Sequence, residues 1–88
     1  MANGEYTITF ATSVRKELER LDPPLAHRIF PLIESLADNP RPRKCKKLQG
    51  SGNLWRIRVG DYRVVYSVND LEKVVDVVAV RHRSDAYR

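Results

Sequence analysis

Between residues 54 and 80 the sequence consists of short stretches in which apolar and polar residues alternate. A period of two is typical of β-strands that bury one face. Polar turns of two and four residues, at 60–61 and 69–72, separate the stretches, and turns this short join antiparallel neighbours. The last stretch is nearly all β-branched, which favours a strand that is central or buried on both faces. The pattern therefore predicts an antiparallel sheet with consecutive strands at residues 54–59, 62–68 and 73–80.

The beginning of the chain predicts one further strand and a short helix. Alternation over residues 6–10 indicates a half-buried strand, which cannot stand alone and is expected to pair with the sheet. Apolar residues then recur at helical spacing from Val14 to Leu21. Thr12 or Ser13 is the expected N-cap of this helix.

A second helix is predicted to start at Asp22 as its N-cap, with Pro23 at the first helical position, where a missing N–H does no harm. Apolar residues continue at helical spacing from there to Leu36. Pro31 lies inside this segment and costs about 3 kcal/mol in a regular helix, because it removes a hydrogen bond and clashes with the preceding turn. We therefore expect a kink at Pro31 or a break near Phe30.

The element order β-α-α-β-β-β predicts an α+β fold in which a helical hairpin packs on one side of a mainly antiparallel sheet. The 88 residues suffice for a single domain, residues 1–88. No stretch has the ~18 apolar residues of a membrane-spanning helix, and no signal peptide is recognisable. The single cysteine, Cys45, cannot form an internal disulfide. We therefore expect a cytoplasmic protein that neither crosses a membrane nor uses a metal or a cofactor.

Positive charge is concentrated in the second half of the chain, which has a net charge of +5 overall. Residues 1–40 contain four bases and six acids, whereas residues 41–88 contain twelve bases and five acids. Such an asymmetry indicates a polyanionic or acidic partner for the second half. A solubilising basic surface without a partner is the alternative.

Arginines are the main candidates for site residues. Arg56 and Arg58 project from one face of their strand, because side chains alternate with a period of two, and Arg63 follows one hairpin turn later. Arg81 and Arg83 share a face if the last strand extends that far. If these faces coincide, five guanidinium groups line one concave surface of the sheet.

Such a cluster costs about 1 kcal/mol for each close exposed pair of like charges, and a phosphate ligand would offset this cost. Guanidinium groups bind phosphate oxygens in a bidentate manner, and Tyr87 on the same surface can stack on a base. Single-stranded RNA offers both features. Lys44, Lys46 and Lys47 precede the arginine strand and are placed to guide a polyanion toward it. In the alternative interpretation the arginines pair with nearby acids and the face is merely solvated; these acids are Asp61, Asp70, Asp76 and Asp85.

The run LWRIRVGDYRVVY at residues 54–66, with the ending HRSDAYR at residues 82–88, resembles the RelE/ParE superfamily of bacterial and archaeal toxins, and its RelE branch in particular. The resemblance extends over essentially the whole chain, including the order of the elements. It implies that the protein is the toxin of a type II toxin–antitoxin system and that it acts as a ribosome-dependent mRNA endonuclease. RelE-like toxins enter the ribosomal A site, where the 2′-OH of the mRNA attacks the adjacent phosphorus. The products are a 2′,3′-cyclic phosphate and a 5′-OH.

The resemblance also implies roles for individual residues. Arg63 corresponds to the residue that holds the scissile phosphate. Arg83, or Arg81 two residues before it, corresponds to the one that stabilises charge or protonates the leaving group. Tyr87 corresponds to a residue that orients or activates the nucleophile or stacks on a base. The implied partners are mRNA on the ribosome and an acidic RelB-like antitoxin that folds on binding, as a helix over the helical hairpin or as a strand at the sheet edge. The free toxin is then a monomer and the complex a hetero-oligomer.

Two positions depart from the best-known RelE proteins, which carry lysines where this chain has Arg56 and Arg58. A lysine surrounded by positive charge can lose its proton and act as a base, whereas an arginine cannot. The general base therefore stays open, with Tyr87 as the best substitute. Two other functions are compatible with the same fold: non-enzymatic inhibition of DNA gyrase, as in ParE, and RNA binding without turnover.

Overall fold

The computed structural model describes residues 5–48, 50 and 52–84. Two helices and five strands follow one another along the chain. Their bounds are β1 (Thr7–Phe10), α1 (Thr12–Glu19), α2 (Pro23–Ser35), β2 (Lys46–Lys47), β3 (Leu54–Val59), β4 (Tyr62–Asn69) and β5 (Val74–His82).

The strands form one mixed sheet in the order β1-β5-β4-β3-β2. Consecutive strands from β2 to β5 pair in an antiparallel manner, while β1 pairs with β5 in parallel. The predicted α+β fold and its element order are confirmed, with β2 as a short additional strand at one edge. Neither helix in the described part of the chain is long and apolar enough to span a membrane.

A β-bulge interrupts the pairing of β4 with β5. Tyr66 lies opposite Val77, whereas the preceding residue of β4, Val65, lies opposite Ala79. The extra residue on β5 shifts everything after it by one position relative to β4. Because side chains alternate between the two faces, this shift turns Arg81 to the face of the sheet that points away from the core.

The core lies between the two helices and the other face of the sheet. The helices contribute the buried residues Val14, Ile29 and Ile33, and the strands contribute Ile57, Val64, Tyr66, Val68, Val75 and Val77. The Tyr66 hydroxyl, although buried, donates to the Pro40 carbonyl at 2.7 Å. Burial raises the pKa of this hydroxyl above its ordinary value. The packed face fixes which side of each strand is left to solvent.

The prediction that Thr12 or Ser13 caps α1 is wrong. The N-cap is Ala11, which has extended backbone angles and no side-chain cap. Its N–H donates to the Val77 carbonyl at 2.9 Å. The parallel pairing with β5 thus keeps Ala11 extended, and the helix begins at the next residue.

The second helix starts as predicted, with Asp22 as N-cap and Pro23 at the first helical position. Its predicted break near Phe30 is wrong, because α2 continues through Pro31. Pro31 cannot donate to the carbonyl of His27, but both residues are exposed, so water can hydrogen-bond to that carbonyl. The predicted kink at Pro31 stays a prediction.

Asp70 joins three segments of the chain at the end of the sheet remote from the β3–β4 turn. Its carboxylate accepts a hydrogen bond from the Tyr6 hydroxyl at 2.6 Å and from Arg41 Nη2 at 2.7 Å. The hydrogen bonds from Arg41 and Tyr6 lower the pKa of Asp70 to about 2. Because this pKa lies below the ordinary value of 3.8, the cluster stabilises the fold above about pH 4 and ceases to do so as the pH falls toward 2.

Replacing Asp70 by asparagine should therefore lower the melting temperature at neutral pH and make it less sensitive to acid. Thermal melts of both proteins between pH 6 and pH 2 test this, and their difference should vanish toward pH 2. Glu72→Gln, in the same turn, is the matched control and should melt like the wild type. Parallel curves for the wild type and Asp70→Asn over the whole range would contradict the assignment.

Candidate functional site

An open cleft of about 480 Å³ lies beside the turn between β3 and β4. Among the described residues, its charged lining consists mainly of guanidinium groups from three different parts of the chain, with one acid, Asp61, beside them in the turn. These groups belong to Arg58, Arg63 and Arg83, and Tyr62 and Ser84 complete the wall. The structure thus brings together three of the five predicted arginines.

The turn between β3 and β4 sets the first pair of arginines. Gly60 has φ +59°, a left-handed conformation that strains other residues. This two-residue turn places Val59 opposite Tyr62, and therefore Arg58 directly opposite Arg63. Directly opposite side chains on neighbouring strands have Cβ atoms about 4.5–5.5 Å apart, so both guanidinium groups can reach one phosphate.

Arg83 joins this pair through its backbone. It follows the end of β5 at His82, and its N–H donates to the Asp61 carbonyl at 2.7 Å. His82 supports the same turn, because its Nδ1 accepts the N–H of Ser84 at 3.2 Å, and its ring packs edge-on against Tyr62 at 5.3 Å. These contacts give His82 a structural role at the end of β5.

The cleft arginines form no ion pair within the described part of the chain. The three ion pairs found there involve Arg41, Lys73 and Arg81 instead. Of the acids considered as partners, Asp70 binds Arg41 and Asp76 accepts the Thr9 hydroxyl at 2.7 Å. The interpretation in which these acids neutralise the cluster is therefore not supported by the described residues.

A second concavity, of about 560 Å³, adjoins the first and shares Arg58 with it. Burial, followed by the positive charges of Arg58 and Arg63, lowers the pKa of Arg56 below its ordinary value, although the group stays protonated. Lys46 lies directly opposite Arg56 in the sheet. The two concavities form one basic surface, to which Arg43, Lys44, Lys46, Arg56, Arg58, Arg63 and Arg83 contribute.

Lys47, predicted to act with Lys44 and Lys46, is not brought to the basic surface. It lies opposite Trp55, and its ammonium is 6.0 Å from the centre of the indole ring. Arg41 lies over the same ring at 5.3 Å. Trp55 itself is half-buried and packs against the core.

Arg81 shares a face with the cleft arginines but does not line the cleft. The bulge places it opposite Arg63, yet its Nε donates to Glu17 Oε2 at 2.9 Å. Sequence reasoning missed this partner, because Glu17 gave no signal beyond its place on the polar side of a helix. It also missed Arg43, which no strand pattern assigns to a face.

Two candidate residues, Asp85 and Tyr87, lie outside the described residues. Within the described ranges no three side chains of the metal-ligating types His, Cys, Asp and Glu cluster closely enough to hold a metal ion. What the basic surface offers is a row of guanidinium donors, suited to binding phosphates and stabilising additional negative charge on them.

A small α+β domain with an arginine-lined cleft on the open face of its sheet is typical of a known class of proteins. The profile of a family described as ParE toxin of type II toxin–antitoxin system matches residues 8–87. A toxin named RelE from Mycobacterium tuberculosis is 31% identical over 85 residues, which cover 94% of this chain and 87% of the relative. The chain therefore belongs to the RelE/ParE superfamily of type II toxins.

Solved structures agree with this assignment. The toxin in the archaeal RelE–RelB complex from Pyrococcus horikoshii has a TM-score of 0.79 and 34% identity, with 90% of this chain and 96% of that chain covered. The toxin in the Escherichia coli RelBE toxin–antitoxin complex has a TM-score of 0.78 and 26% identity, with 88% and 95% covered.

Proposed function

We propose that this toxin is a ribosome-dependent endonuclease that cleaves mRNA in the ribosomal A site and so stops translation in the cytoplasm. The observation that supports it most is the cleft of Arg58, Arg63 and Arg83, whose guanidinium groups form no ion pair within the described residues. A protein that only binds another protein has no need for several unpaired guanidinium groups in one concave site. A phosphodiester explains them, because it supplies the missing negative charge.

In the proposed reaction the 2′-OH loses its proton and its oxygen attacks the adjacent phosphorus. The bond from phosphorus to the 5′ oxygen then breaks, and that oxygen takes up a proton. Negative charge builds up on the phosphoryl oxygens in the transition state, and Arg63 and Arg58 are positioned to stabilise it. Arg83, beside the turn, is assigned to charge stabilisation or to protonation of the leaving oxygen. No metal or cofactor enters this scheme.

The general base is assigned to Tyr87 or to a group of the ribosome or the mRNA. Arg56 and Arg58 cannot serve as the base, because their guanidinium groups are already protonated at neutral pH. We assign Arg56, together with Arg43, Lys44 and Lys46, to the phosphates that flank the scissile one. The two adjoining concavities support this, because a single strand crossing the sheet meets one after the other.

The second part of the proposal is a cognate antitoxin that is RelB-like and acidic. The similar toxins from Pyrococcus horikoshii and Escherichia coli were solved as complexes with RelB, and the net charge of +5 suits an acidic partner. Phe10 and Phe30 leave more than a third of their surface exposed and offer apolar contacts on β1 and α2. We expect the antitoxin to fold on binding over the helices or along the edge of β1.

Primer extension on a reporter mRNA, after induced expression in bacteria, tests the nuclease. We expect cuts within translated codons that disappear when translation initiation is blocked, and a strong loss of cutting for Tyr87→Phe. Intact mRNA with arrested growth and broken DNA would instead favour a gyrase inhibitor. RNA binding that depends on salt, without cutting even on translating ribosomes, would favour a binding module.

A further inference from the structure

Glu17 bridges two groups at the edge of the sheet where β5 has lost its neighbour. The pairing of β1 with β5 ends at Val77. Beyond it, Glu17 Oε1 accepts the backbone N–H of Val80 at 2.8 Å, and Oε2 accepts Arg81 Nε at 2.9 Å. The Glu17 side chain is only 21% exposed, whereas that of Arg81 is 55% exposed. The carboxylate is thus held by the fold, and the arginine is the more exposed partner.

Glu17 holds Arg81 away from the cleft that its position in the sheet would let it reach. Arg58, Arg63 and Arg81 occupy successive strands in one row, but the cleft is lined by the first two and Arg83, not by Arg81. Arg81 instead borders a neighbouring concavity with Glu17 and His82. In the described part of the chain its Nη1 and Nη2 form no hydrogen bond.

We propose that Glu17 is a positioning residue that holds Arg81 outside the cleft in the absence of RNA, and that a phosphate of bound RNA draws Arg81 into the cleft as a further ligand. This inference rests on the proposed function. Without RNA, a fourth guanidinium beside Arg58, Arg63 and Arg83 would add like-charge repulsion, which Glu17 removes. With RNA, the phosphate competes for the same guanidinium and can bind it in a bidentate manner.

Because Glu17 accepts two hydrogen bonds, the transfer of Arg81 from Glu17 to a phosphate costs little free energy. When Arg81 leaves, Oε1 still accepts the N–H of Val80, so no backbone donor is left without a partner. A carboxylate that held Arg81 alone would have to move or be left unpaired. The two hydrogen bonds also suggest the variant: glutamine retains an oxygen for Val80 and removes the charge that holds Arg81.

The test compares Glu17→Gln with the wild type in binding a fluorescent, 2′-O-methylated RNA hexamer, which cannot be cleaved, over a range of salt concentrations. Arg81 should be free to bind phosphate in the variant. We expect about two- to fivefold tighter binding at low salt, the range that an exposed ion pair represents. The slope of log K against log salt should be the same for both proteins and about 0.7 shallower for Arg81→Gln, which loses one phosphate contact on a single strand.

Two comparisons separate this effect from a mere change of net charge. Glu19→Gln removes the same charge from an exposed position of α1 and should bind with nearly the affinity of the wild type. In an Arg81→Gln background, Glu17→Gln should no longer tighten binding. In ¹H–¹⁵N spectra, the Arg81 Nε–H signal of the wild type should move on RNA addition toward its position in Glu17→Gln.

The outcomes are distinguishable. Two results with a wild type that binds RNA would contradict the inference: Glu17→Gln behaves like Glu19→Gln, or it keeps its effect in the Arg81→Gln background. In either case Glu17 does not position Arg81, while the RNA cleft stands. If the wild type does not bind the hexamer even at low salt, the inference about Arg81 is wrong, whereas the proposed ribosome-dependent cleavage is judged by primer extension.

Discussion

Replacing Arg63 by alanine is expected to lower the single-turnover rate of mRNA cleavage on translating ribosomes by about 10²–10³-fold, the usual loss when one preorganised transition-state donor is removed. Arg63 lies on the central strand β4, opposite Arg58 on one side and Arg81 on the other. Arg63 is half-buried, and in the proposed reaction its guanidinium stabilises the charge that develops on the phosphoryl oxygens. Arg63→Lys should lose less, because it keeps the charge but not the planar fork.

The protein should remain folded in this variant. Arg63 points away from the core and forms no ion pair in the described part of the chain, so alanine removes no packed apolar group. Arg15→Ala, an exposed arginine of α1 outside the basic surface, is the matched control and should cleave normally. A folded Arg63→Ala protein that cleaves at the wild-type rate would show that the cleft is not the active site.

The pairing of Arg58 with Arg63 could be predicted because the local sequence determines it. A glycine-containing turn of two residues fixes the register of a hairpin, and alternation then fixes the face. The same reasoning located the strands to within one or two residues. These are short-range effects, which act between residues close together in sequence.

The position of Arg81 could not be predicted, because it depends on a bulge in β5, and the sequence of this strand does not show which of its faces is buried. Residues 74–80 are almost all apolar, so either face can be buried and nothing in the sequence marks where the extra residue sits. Without that residue, Val80 would lie opposite Arg63 and Arg81 would turn toward the helices. The contact with Glu17 spans 64 positions of the chain and is likewise set only by the packing of α1 against the sheet edge.

Strand β3 has a core residue on one face and arginines of the basic surface on the other. A substitution of that core residue is expected to have the second large effect, a loss of stability. Ile57 is fully buried, and its neighbours Arg56 and Arg58 point to the opposite face. Ile57→Ala should lower the free energy of unfolding by about 2–5 kcal/mol, through lost burial and the cavity left behind. A domain of this size has a stability near the lower end of about 5–15 kcal/mol, so a large part of it would be lost.

The proposed antitoxin should restore this variant. A partner that binds only the folded toxin stabilises it by about 4 kcal/mol at a thousandfold excess over its Kd, which is comparable with the loss. We therefore expect free Ile57→Ala to unfold at a much lower urea concentration than the free wild type, and the variant in the complex to unfold at nearly the same concentration as the free wild type. Ile57→Val, which removes one methyl group, should cost only about 0.5–1.5 kcal/mol. Equal urea midpoints for the alanine and valine variants would mean that Ile57 does not hold β3 against the helices, and that the arginines beside it are positioned by the strand pairing alone.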